Sequence, residues 1–289
     1  MYLQLVISGL ALGSMYSLVA LGFNITYATS RTVNFSQGQS VMVGAVVAYV
    51  AHVRWGWPMA AAVALSLIAL AAFGVLVERI AVRPFLRSAS IAWLLSTIAV
   101  GIIAENVAMV AFGKDARAFP SPLTAKPLMI LGAGVYAQEL LLPVVGLGLM
   151  VGVEAAFRRT LFGKALRAVA FSHEAARLMG IDVNRTIAAS YALSSALAGI
   201  AGILIAPILN VSATMGTIIG LKAFAVAIIG GIESPAGIIV AGILYGVFES
   251  IVAGLFGTGG REILGFALVI LVLLLRPWGL FGAPAVRRV

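Results

Sequence analysis

Uncharged apolar runs recur along the whole chain. No Asp, Glu, Lys or Arg occurs in residues 1–30, 32–53, 55–77, 88–104, 140–153, 186–221 or 263–275. A hydrocarbon core about 30 Å thick takes about 20 apolar residues per helix. The runs predict membrane segments near 2–27, 36–53, 57–79, 90–112, 138–157, 186–210, 216–231, 236–257 and 262–276. The run 216–231 is short for a span. It reads as a half-helix leading into GGIESPAG at 230–237, after which 236–257 returns. The pattern is that of an all-α polytopic integral membrane protein with about eight to nine membrane segments, broken or half helices included. A transmembrane β-barrel would show short alternating segments instead. The first run lacks a basic leading region and continues too far for a cleavable signal peptide, so it reads as a span.

Composition agrees with this reading. The chain is 62% hydrophobic and 10% charged, against about 25% charged in soluble domains. The polar stretches near 113–137 and 158–185 are too short to bury cores of their own, so 1–289 reads as a single transmembrane domain. With no cysteine, disulfides, thiolate metal sites and Cys nucleophiles are excluded. The net charge of +9 reads as topology and not as affinity for nucleic acid, because Lys and Arg gather on cytoplasmic loops. Segment 158–185 carries six basic and two acidic residues. Placing it inside also places Arg31, Arg79, Arg83, Arg87, Arg276, Arg287 and Arg288 inside. That makes thirteen basic residues in, against five out (Arg54, Lys114, Arg117, Lys126 and Arg261). The N-terminus is then outside and the C-terminus cytoplasmic. Loop 113–137, with Pro120, Pro122 and Pro127, reads as an external connection, either a solvated linker or one with a short β-like or interfacial part.

Two breaks interrupt the apolar pattern. One is Asn34, Phe35, Ser36, Gln37, Gly38 and Gln39; the other contains Glu233 and Ser234 within 230–237. Non-helical backbone at membrane depth must be buried in protein or line a wet cavity. The breaks are therefore tight turns that satisfy freed backbone groups, or parts of a substrate path. No clear internal repeat accompanies them. Glu105, Lys222, Glu233 and Glu249 are ionisable residues in or beside the segments. Each costs at least ~2.5 kcal/mol at the bilayer centre, so each should face protein or water. Lys222 and Glu249 lie on adjacent segments and can pair, as a packing device or in a substrate role. His52 and His173 lie outside the apolar core, so no proton relay is visible. Gly9, Gly13 and the stripe Ser194, Ser195, Ala198, Gly199 and Gly202 allow close helix packing.

Segment 158–185 itself predicts a short helix. Ser172 suits an N-cap, and Glu174 suits the first turn beside the helix dipole. Gly180 suits the left-handed residue after the C-terminus. Ala175, Leu178 and Met179 share one face. That face can rest on lipid headgroups or fill a partner's groove. The chain has no phosphate loop, since Gly163-Lys164 continues into Ala165. It also has no zinc-protease motif, metal cluster or nucleophile elbow. If transport is ATP-driven, another polypeptide hydrolyses the ATP.

Several stretches together resemble the permease subunits of branched-chain amino acid ABC importers, the LivH type. They are the opening GLALGSMYSLVALG at 9–22, VNFSQGQ at 33–39 (similar to the family's NFAHGE segment) and RAVAFSHEAARLMGI at 167–181. GLKAF at 220–224, Gly230-Gly231 and LRPWGLFG at 275–282 complete the set. The resemblance spans nearly the whole chain in order. It implies a LivM-like second permease, two cytosolic ABC ATPases and a periplasmic or lipid-anchored binding protein, in the bacterial inner membrane. It implies no cofactor in this chain, with ATP and Mg in the ATPases. Segment 158–185 becomes a cytoplasmic coupling loop of the EAA type, with Arg167, His173, Glu174, Ala175, Ala176, Leu178, Met179, Gly180 and Ile181 at the ATPase groove. Asn34, Phe35, Ser36, Gln37, Gln39, Glu233 and Ser234 become substrate-path candidates. Gln37 and Gln39 stand where His and Glu are common in the family, and Glu233 where Gly is frequent. Branched-chain amino acids lead the implied substrates, with urea, amides and small carboxylates carried by relatives on the same scaffold. A stand-alone secondary transporter would instead work without ATPase partners.

Overall fold

The computed structural model describes residues 2–86, 91–130 and 132–282; Arg87, Arg287 and Arg288 lie outside them. The predicted apolar runs become helices. They are α1 (Tyr2–Ser30), α2 (Gln37–Tyr49), α3 (Met59–Val77), α4 (Ala92–Phe112) and α5 (Ala137–Arg159). After α5 come α6 (Leu161–Phe171), α7 (His173–Leu178), α8 (Val183–Leu209), α9 (Met215–Gly230) and α10 (Pro235–Leu275). A wider π turn continues α2 over Val50–Arg54 and α3 over Glu78–Val82. Among the described residues, six helices are long and apolar enough to cross a membrane, and α9 is a shorter apolar helix. The chain is a polytopic helical membrane protein.

The stretch Pro235–Leu275 contains a reversal. Gly257 has φ 74° and ψ −178°, which a residue with a Cβ rarely adopts. Glu249 meets Arg261 at 2.7 Å, whereas a straight helix would set twelve residues about 18 Å apart. Arms 235–256 and 258–275 therefore fold back on one another, as two separate segments near 236–257 and 262–276 require. The Leu280 amide then reaches the Ile229 carbonyl at 2.7 Å, returning the chain to the 230–237 break.

Helix α1 is the central post, packed along α5, α8, α9 and α10. Its Gly9 and Gly13 lie directly on the 235–256 arm at Gly246 and Gly242. The small stripe on α8 does the same for α2, where Gly44 touches Gly199 backbone to backbone. Without a hydrophobic drive between helices in lipid, such close contact is what holds them.

Both breaks are real. Arg31 closes α1 in the left-handed conformation (φ 54°), and the chain continues without helix through Ser36. Gln37 is level with Gly22, about 12 Å below the end of α1, because its amide reaches Ser194 beside Gly22. Residues 32–36 thus run at membrane depth. Thr32, Asn34 and Ser36 are buried, and Asn34 Oδ1 accepts from the Ser36 amide and hydroxyl. This meets the rule that irregular backbone inside a bilayer is enclosed by protein.

The connection 113–137 contains a β element, the second of its two readings. Strands β1 (Pro127–Ile130) and β2 (Ala133–Tyr136) pair antiparallel, with Leu128 opposite Val135. Arg117 and Val211 exchange both backbone hydrogen bonds at 2.8 Å, fastening this loop to the α8–α9 connection. Glu139 starts α5 by accepting the Tyr136 amide and ties it to α1 through the Ser8 hydroxyl.

Candidate coupling surface and membrane path

Local chemistry shapes segment 158–185 into two short helices. Thr160 caps α6 by accepting the Gly163 amide at 3.0 Å. Gly163, Leu166 and Val169 form its buried face. Ser172 caps α7 by accepting the Ala175 amide at 3.2 Å, with Glu174 in the first turn. Gly180 ends the turn at φ 79°. Asp182 then caps α8 through the Arg185 amide.

These caps aim the residues. Ala176 is buried against Val169, Val183 and Ile187, and Ile181 packs beside it. Glu174, Ala175, Arg177, Leu178, Met179 and Gly180 face outward. Phe171, Leu178 and Met179 are 91%, 84% and 81% exposed. Arg167 is exposed on α6 and reaches the Arg158 carbonyl. The His173 ring meets the Thr29 carbonyl at 2.7 Å, joining α7 to the last turn of α1, a contact the sequence did not signal.

Glu233 and Ser234 lie at this same end. Glu233 pairs with Arg31 in an exposed ion pair, of a kind worth about 0–1 kcal/mol. The Asn24 amide holds the Ile232 carbonyl at 2.6 Å, and Ser234 caps the 235–256 arm through the Gly237 amide. Glu233, Arg158 and Arg167 line one cleft.

The other candidate path residues sit at the α2 break. Asn34, Ser36 and Gln37 are buried within the protein. Gln37 exchanges hydrogen bonds with the Ser194 carbonyl and hydroxyl. Phe35 and Gln39 instead line a cavity of about 490 Å³ between α1, α2, α4 and α9. Phe224 is its aromatic hub, with ring centroids 5.4 Å from Phe23 and 5.2 Å from Phe35. At its polar end Gln39 Nε2 donates to Glu105 Oε2 and to Thr217 Oγ1, both at 3.0 Å, and the Thr217 hydroxyl donates to Glu105. Glu105 was visible in the sequence as an intramembrane acid. Its partners, 66 and 112 residues away, were not.

Lys222 Nζ pairs with Glu249 and lies 2.7 Å from Glu262. Arg261 Nε lies 2.7 Å from Glu249 and its Nη2 reaches the Tyr16 hydroxyl. Arg261, counted from sequence among the external cations, is drawn in by the reversal at Gly257 and becomes one of four charges in a partly buried network. The polar, glycine-rich GTGG at 257–260 was the signal for that turn. A second buried acid, Glu78, pairs with Arg83 in two hydrogen bonds of 2.9 and 2.7 Å.

Comparison with known proteins places this architecture. The family described as "Branched-chain amino acid transport system / permease component" matches residues 5–275. A high-affinity branched-chain amino acid transport system permease protein, BraD of Pseudomonas aeruginosa, is 33% identical across 100% of this chain and 98% of its own length. The corresponding LivH of Escherichia coli is 30% identical across 100% and 98%. A matched helical membrane scaffold, together with full-length similarity at this level, shows that the chain belongs to the branched-chain amino acid transport system permease family.

Proposed function

We propose that this chain is one transmembrane permease subunit of an ATP-driven importer of branched-chain amino acids in the bacterial inner membrane. A LivM-like second permease completes the substrate path. Two cytosolic ABC ATPases bind ATP and Mg and do the hydrolysis, and a periplasmic or lipid-anchored binding protein delivers substrate. The chain is a transport component and not an enzyme.

The observation that carries this reading is the α6–α7 unit. It is capped at both helix starts, packed by Ala176 and Val169, and leaves Phe171, Leu178 and Met179 bare. Apolar side chains ringed by Arg167, Glu174 and Arg177 suit a groove on a soluble partner better than bulk water. Charge placement supports the orientation. Arg83, His173 and Arg177 line one cleft at the end where Arg31 meets Glu233. At the other end Arg54 and Arg117 both lie over the Phe112 ring. The crowded basic end is cytoplasmic by the positive-inside rule, which sets the N-terminus outside. The chain then has eight or nine membrane segments, of which α9 is a half-helix.

Motion at α7 has a route into the bundle. His173 pulls on Thr29, and Arg31 just beyond it holds Glu233 at the foot of the 235–256 arm. ATP-driven closure of the ATPases would rock α1 and that arm together. Co-expression of the tagged chain with its four partner proteins tests the assembly. The expected result is a detergent-stable complex retaining both ATPases and the second permease. Recovery of the folded chain alone would overturn the reading.

A further inference from the structure

We infer that the cavity at Glu105 receives the ammonium group of the carried amino acid as it crosses the membrane. The inference rests on the importer reading above and names one contact within it.

Glu105 lies on α4 seven residues before its outer end at Phe112, about 10 Å below that end. A carboxylate at such depth needs a compensating partner. Its Oε2 accepts from Gln39 and Thr217. Its Oε1 accepts no hydrogen bond among the described residues. Gln39 is only 6% exposed, yet its Oε1 is buried with no hydrogen-bond partner. Both of its amide hydrogens point the other way, to Glu105 and Thr217. Gln39 Oε1 is turned away against Gly216, so the acceptor left open to the cavity is Glu105 Oε1, on an anion.

A donor with positive charge fits this arrangement. A primary ammonium brings three N–H donors and a unit charge, and its hydrogen bonds to a carboxylate are of the strong, charge-assisted kind. An uncharged amide or sugar hydroxyl would supply donors without the charge. A free carboxylate would be repelled by Glu105. The rest of the cavity is apolar, walled by Phe23, Phe35, Phe224, Ile98 and Leu221. An aliphatic side chain attached to the ammonium carbon finds that wall. The first turns of α2 and α9 meet here, with Gly38 against Gly216. Their positive helix ends stabilise negative charge, both that of Glu105 and that of a zwitterion's carboxylate. Ile102 and Asn106 of α4 are exposed beside the cavity, so it opens along the face of α4 and is not a sealed void.

The test uses the assembled importer. Glu105→Gln should lower amino-acid uptake about 10- to 100-fold, the value of a hydrogen bond to a charged group, and Glu105→Asp should recover most of it. A second readout does not depend on transport by the variant. The chain has no cysteine, so Ile98→Cys provides one reporter thiol. A cationic thiosulfonate should label it on the order of tenfold or more faster than an anionic one of equal size. In the Glu105→Gln background the ratio should fall towards one. Equal labelling by the two reagents with Glu105 present, or undiminished uptake in Glu105→Gln, would overturn the ammonium site. Failure of the unmodified importer to carry any amino acid would instead overturn the importer reading on which the site rests.

Discussion

Glu249→Gln should cost about 3–5 kcal/mol, the usual penalty for removing one partner of a buried ion pair. Against a typical total of about 5–15 kcal/mol, such a variant should accumulate poorly. The side chain of Glu249 is 0% exposed and one oxygen accepts from both Lys222 and Arg261. Its removal leaves two cations facing one remaining acid, Glu262, which is 48% exposed. Lys222→Met should be milder, because Arg261 still neutralises Glu249. Lys222→Met combined with Glu249→Gln should cost less than the sum of the two, since residues within one charge network couple. Thermal unfolding of the purified chain in detergent gives the ranking. Equal single losses that add strictly would show that these groups do not act as one network.

Leu178→Asp with Met179→Asp should detach the ATPases while leaving membrane insertion intact. Both side chains are almost fully exposed at the tip of α7, so the free chain has little to lose. Apolar anchors at interface centres are each worth about 2 kcal/mol or more, so ATPase affinity should fall on the order of a hundredfold or more. Lys126→Asp, at the opposite end, serves as control and should retain the ATPases. Gly180→Ala separates shape from contact. Nothing lies within 4 Å of a Cβ placed there, but φ 79° costs a non-glycine residue about 1–2 kcal/mol. Its effect should be intermediate. Full ATPase retention by the double aspartate variant would remove α7 from the interface.

The helices were readable because burial in lipid demands uninterrupted apolar length. Predicted segments 90–112 and 186–210 match α4 and α8 within three residues. The cap at Ser172 and the turn at Gly180 were readable because capping depends on a few neighbouring residues. The interruption between the apolar runs near 236–257 and 262–276 marked the reversal. The partnerships were not readable. Gln39 with Glu105 and Thr217, Arg261 with Glu249, and His173 with Thr29 depend on which helix faces meet, and no local periodicity encodes that. The non-helical course of 32–36 was half visible: its polar residues showed a break, but only its contacts with Thr97 and Tyr191 show that it is enclosed.

The central claim is that this chain moves substrate only as part of an ATP-driven assembly. Uptake of radiolabelled leucine into liposomes tests it directly, with ATP and Mg supplied on the ATPase side and loaded binding protein on the other. The full assembly should accumulate leucine with ATP and not without it, and liposomes holding this chain alone should accumulate none. Uptake by the chain alone under an imposed proton or sodium gradient would contradict the account.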